Sequence, residues 1–175
     1  MAIVKATYTK HSRGAKASIR YIQHRPGKEA ERVTRVLFGR DEGMSRQEAY
    51  RMIDAAGKNT IFFRFVLSPD PKTEDTHHDL SLREVAEKTM QALEDRLQRE
   101  VSWVGAVHDD HAPHRHVHLV AIVQGRLYVQ DFQALRHAAT TACLEQRTER
   151  DLVREHTKPW QEAREQEEAQ WELSH

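Results

Sequence analysis

The chain has 175 residues, 31% charged and 38% apolar, and its 27 basic and 27 acidic residues cancel. That length suits one core plus an extension. No apolar run approaches the ~20 residues of a membrane span, the first residues lack a secretory pattern, and a lone Cys143 excludes a disulfide framework or a cysteine-based zinc site. A soluble domain of cytoplasmic type, without membrane insertion, is expected.

Residues 2–8 are rich in β-formers and predict a first strand, after which Ser12 offers an N-cap for a helix over about 13–24, ended by Pro26 and Gly27. Residues 32–38 predict a second extended segment, an edge because arginine alternates into it. Ser45 with Glu48 forms a capping box that opens a short helix through Ala49, Met52, Ile53 and Ala56, stopped by Gly57. Residues 60–68 are strongly apolar and predict a central strand, ended by Pro69. Ser81 with Glu84 makes a second capping box, and Leu82, Val85, Ala86, Met90, Leu93 and Leu97 follow at helical spacing. Residues 101–107 and 115–123 predict a hairpin. Asp131 then caps a helix through Phe132, Leu135, Ala139 and Ala142, and the charged stretch from about 145 onward is also helical. The order implies an α+β fold: a mainly antiparallel sheet of about five strands, flanked by helices, with a charged helical tail.

Charge is unevenly spread. Residues 1–40 hold ten Lys/Arg against Glu29 and Glu31, whereas residues 144–175 hold five against nine acidic residues. A basic first quarter suits a phosphate-backbone partner. The tail has three possible roles: packing on the domain, pairing with a second copy, or leading into further domains.

Five of the twelve histidines fall between positions 108 and 118. The strand period of two separates His114, His116 and His118 from the apolar Val117, Leu119, Ala121 and Val123, which puts these histidines off the core face. With a turn centred on Ala112, His108 lies opposite His116, and small Ala106 lies opposite His118 and leaves room. Three imidazoles so placed can converge on one metal ion. Asp109 or, preferably, Asp110 is the candidate to orient a ligand ring, with His114 beside it at the mouth. Three neutral imidazoles leave coordination positions open, as a catalytic site requires. Such a site suits a metal hydrolase activating water, a phosphoryl-transfer enzyme, or a non-catalytic metal-stabilised nucleic-acid-binding module.

His108, followed by His116 and His118 around one hydrophobic residue and then Leu119-Val120-Ala121-Ile122-Val123, resembles the His-hydrophobe-His motif of single-strand DNA endonucleases, and the plasmid mobilisation relaxases in particular. The segment Gly14 to Arg25 resembles the relaxase helix that carries the tyrosine nucleophile, which in that family precedes the histidines. Residues 65–70 and 131–136 add support, so the resemblance covers about residues 1–143 and leaves 144–175 as an extension. It implies Tyr21 as nucleophile, Mg²⁺ or Mn²⁺ at the three histidines, single-stranded DNA of a transfer origin as substrate, and other conjugation proteins as partners. An all-imidazole site also favours Zn²⁺, Ni²⁺ or Cu²⁺. Arg20, Arg25 and Arg64 are the candidate DNA phosphate contacts.

Overall fold

The computed structural model describes residues 1–27, 29–41, 43–110 and 114–174. Eight elements follow one another: β1 (Ile3–Thr9), α1 (Ser12–His24), α2 (Arg46–Asp54), β2 (Thr60–Ser68), α3 (Leu82–Leu97), β3 (Ser102–His108), β4 (His116–Gln124) and α4 (Val129–Ser174). The sheet is antiparallel throughout, in the order β1-β2-β4-β3. The apolar β2 is therefore central.

Four strands form the sheet among the described residues, one fewer than expected. Residues 32–38 make only two isolated bridges, Leu37 to Met44 and Phe38 to Gly105. Leu37 and Phe38 are consecutive and both buried while Val36 is 74% exposed, a pattern that a strand with alternating faces does not allow.

Helices cover both faces of the sheet. On one, α3 and the first part of α4 bury Leu82, Val85, Met90, Leu93, Leu135, Ala139 and Ala142 against Phe63, Phe65, Leu67, Val117 and Leu119. On the other, α1 presents Ala15, Ile19 and Ile22, spaced four and three residues apart, to Phe62, Val104, Ala106 and Val120, joined by Ala49 and Ile53 of α2. The histidine face, expected to lie off the core, therefore has a smaller core of its own. Alternation alone places a residue on a face; it does not say whether a helix covers that face. Cys143 is buried, and burial pushes its thiol up to about 12, which makes it an inert packing residue.

Capping decides several boundaries. The box at Ser45 is complete, with Glu48 N–H donating to Ser45 Oγ and Ser45 N–H to Glu48. At Ser81 only half of it forms: Glu84 N–H donates to Ser81 Oγ, but Ser81 N–H donates to Gln146 Oε1 of α4 at 2.7 Å. His11, not Ser12, is the N-cap of α1. Asp131 lies within the first turn of α4 and accepts from Tyr128 N–H, so that helix begins three residues earlier than expected. It then runs without a break through position 144 to Ser174, with Pro159 inside it.

Gly105 is needed by the packing around it. Its backbone exchanges hydrogen bonds with Phe38 at 2.7 and 3.0 Å, and a Cβ there would stand 2.7 Å from Leu119 Cδ2 and 2.9 Å from the Phe38 ring. Gly105→Ala is expected to destabilise the fold by about 1–3 kcal/mol through overpacking. Urea denaturation reads this directly, and an unchanged midpoint would mean that Phe38 yields without cost.

Candidate metal centre

The register of the hairpin pairs His108 with His116 and Ala106 with His118, as the spacing predicts. The expected turn centre at Ala112 lies outside the described residues. All three histidines are buried, at 1%, 8% and 6% exposure for His108, His116 and His118. Their ring centroids are 4.4 to 5.2 Å apart, and one nitrogen from each lies within 4.8 Å of the others, so the group can hold a metal ion. Ala106 is fully buried across from His118, and its methyl group leaves the space that the rings occupy.

Two rings are held by backbone carbonyls. His108 Nε2 lies 2.8 Å from the oxygen of Ile22 on α1, and His116 Nδ1 lies 3.2 Å from that of His114. His118 has neither ring nitrogen hydrogen-bonded, and His108 Nδ1 is likewise buried without a hydrogen bond. Buried polar atoms normally find partners, and orphaned imidazole nitrogens on two of three clustered rings fit a bound cation.

The Asp110 carboxylate does not orient a ligand ring, contrary to expectation. It grips Arg35 Nη2 with both oxygens at 2.9 Å, and Arg35 Nη1 donates to the carbonyl of Arg25 at 2.7 Å. Burial works to raise the Asp110 carboxyl, but the Arg35 guanidinium outweighs it and holds the group below its ordinary value. His114 is exposed and reaches the cluster through its carbonyl. Arg35 had no sequence signal of its own, since its role depends on a partner 75 residues away.

Tyr21 stands at the open side of the cluster. Its ring meets that of His118 edge-on, 6.3 Å between centroids and 88° between planes, and it is 43% exposed. The guanidinium carbons of Arg25 and Arg64 lie 5.8 and 5.9 Å from the same ring. Arg64 is steadied by Thr7 of β1, whose Oγ1 accepts from Arg64 Nε at 3.2 Å. Arg20 is not part of this group. One residue earlier on α1, it turns to a separate groove that it lines with Arg13, Lys16 and Tyr50.

Electrostatics favour neutral imidazoles here. Burial pushes His108 down to about 4, opposed by the Ile22 carbonyl and reinforced by Arg35, His116 and Arg25. Burial likewise pushes His118 down to about 3, with help from His108, His116, Arg25 and Arg64. Both rings therefore present lone pairs at neutral pH, as metal ligation requires. Because the unfolded chain takes up protons near pH 6.5 and the folded one does not, metal-free protein loses stability as pH falls below 6.5 toward about 3–4. Each imidazole contributes a slope of about 1.4 kcal/mol per pH unit within that window. Thermal melts in EDTA between pH 7.5 and 4.5 read the effect, and His118→Gln is expected to remove about half of the slope, leaving that of His108.

Comparison with protein-family models, curated proteins and solved structures gives no match. Among the described residues, no helix is long and apolar enough to cross a membrane.

Proposed function

We propose that this chain nicks single-stranded DNA at a transfer origin by metal-dependent transesterification, with Tyr21 as nucleophile and a 5′-phosphotyrosyl intermediate. The observation that carries the reading is the placement of Tyr21: half-exposed, edge-on to His118 and flanked by Arg25 and Arg64. A group that can hold a metal, a tyrosine hydroxyl and two arginine cations meet at one site. Phosphoryl transfer needs this combination, because its catalysis is mostly positioning and charge neutralisation.

His108, His116 and His118 would hold the ion, Mg²⁺ or Mn²⁺ by the family resemblance. A divalent ion held there supplies Lewis-acid polarisation of a phosphate oxygen. The Tyr21 hydroxyl forms the new O–P bond, and the bond to the 3′ oxygen breaks to leave a 3′-hydroxyl. The energy of the phosphodiester is kept in the tyrosyl ester, so the reverse attack reseals the strand. Arg25 and Arg64 bind the phosphate oxygens and offset charge on the transferring group. Thr7 and the Arg35–Asp110 pair hold those elements in place, the latter by tying the chain just after α1 to the hairpin beyond His108. Conjugation proteins are the expected partners of such an enzyme.

The test is incubation of the protein with a labelled cognate oligonucleotide and Mn²⁺, then a denaturing gel and peptide mass mapping. A covalent adduct on Tyr21 is the expected result. An adduct on Tyr8, Tyr50 or Tyr128 would retain the class and overturn the site. Cleavage without an adduct would indicate a hydrolase using water.

A further inference from the structure

We infer that the outer half of α4 is a self-association surface on which a second copy of this chain docks antiparallel. Every described side chain from Asp151 to Leu173 is exposed. Leu135, Ala142, Val153, Trp160 and Trp171 follow at intervals of seven, eleven, seven and eleven residues, which are whole numbers of helical turns. They form a single stripe along the helix. Its inner members, Leu135 and Ala142, are buried against the sheet at 1% exposure each, whereas Val153, Trp160 and Trp171 are 59%, 80% and 63% exposed. The body of the protein covers the first part of this stripe, and on the outer part Val153, Trp160 and Trp171 alternate with the polar Gln146, Glu149, Arg164 and Glu167.

Charge identifies the occupant and its direction. Arg150, Arg154 and Lys158 share one flank of the stripe with Glu165, Glu168 and Glu172, so this flank is basic near the body and acidic toward the far end. A parallel partner would set this flank beside the opposite one, where Glu167 meets Glu165, Glu168 and Glu172. An antiparallel second copy, related by a twofold axis near Glu162, sets the basic half of each helix beside the acidic half of the other. The same register brings Val153 opposite Trp171 of the second copy, and Trp160 opposite its Arg164, a cation–π pairing. Beside Val153, a groove of about 490 Å³ opens between the Asp79–Glu84 segment and α4 residues Gln146 and Arg150. That groove lies where the register delivers the second copy's Trp171.

The ion pairs along this flank do not compete strongly. Arg154 reaches Asp79 at 3.3 Å, Lys158 reaches Glu162 at 3.8 Å and Arg164 reaches Glu168 at 4.0 Å. All three are surface pairs of small worth that can re-form across an interface.

Sedimentation equilibrium of the full chain, without DNA or added metal, tests the surface. The expected mass is twice the 20.4 kDa of one chain. Two variants, Glu165→Lys/Glu168→Lys/Glu172→Lys and Arg154→Glu/Lys158→Glu, should each weaken self-association about tenfold or more. Circular dichroism should show both still folded, because the altered side chains are on the surface. Mixing the two variants, or combining all five substitutions in one chain, should restore the dimer. A monomeric wild type at tens of micromolar, a dimer indifferent to both reversals, or a failure of the combined variant to recover would each overturn the proposal.

Discussion

Tyr21→Phe is expected to abolish the covalent protein–DNA adduct and to lower strand cleavage by roughly 10³-fold or more. Metal affinity and DNA affinity should change little. The substitution removes one hydroxyl from a ring that is 43% exposed, and it leaves intact the edge-on contact with His118 and the approach of Arg25 and Arg64. Packing is preserved, so a purely structural tyrosine would tolerate the change. Gel analysis of a labelled oligonucleotide, with calorimetric metal titration of the same sample, separates the two cases. Full turnover in the variant would assign the attack to water.

Loss of His118 is the second large effect. His118→Ala should weaken metal binding by more than the roughly 10–100-fold that removal of an outer partner costs. It should also erase the rise in melting temperature that a bound ion produces by stabilising only the folded state. His118 is buried with both ring nitrogens unbonded, so its removal deletes two unsatisfied polar atoms as well as a ring. The metal-free variant should therefore lose less stability than truncation of an apolar side chain of similar size. Melting curves with and without Mn²⁺ or Zn²⁺ read both effects at once. A variant that still gains stability from metal would remove His118 from the ligand set.

The period of two around His116 and His118, with Ala106 and His108 at fixed offsets, carries most of the information about the candidate metal centre. It was legible because hairpin register is local. The capping box at Ser45 and the apolar β2 were legible for the same reason, whereas the caps expected at Ser12 and Asp131 fall at other residues. What could not be read depends on distant partners. Arg35 turns inward because Asp110 and the Arg25 carbonyl await it, and this draws residues 32–38 out of the expected strand. Arg20 and Arg25 are equivalent in composition, yet Arg20, on α1, faces a separate groove, whereas Arg25, where the chain leaves the helix, faces the Tyr21 ring. The seam on outer α4 repeats the spacing of its buried beginning, but only the observed end of the packing reveals where it becomes exposed.

The contact between His108 and Ile22 settles a question of proton placement. A peptide carbonyl can only accept, so the ring nitrogen 2.8 Å away must carry the hydrogen, and the lone pair belongs to Nδ1. His108 is thus locked in one tautomer before any ion arrives, whereas His118, with no such partner, can hold its hydrogen on either nitrogen. The carbonyl that imposes this choice belongs to the residue next to Tyr21. A shift of α1 that displaced Tyr21, the proposed nucleophile, would therefore also release the tautomer, and the proposed attack and metal ligation would be lost together.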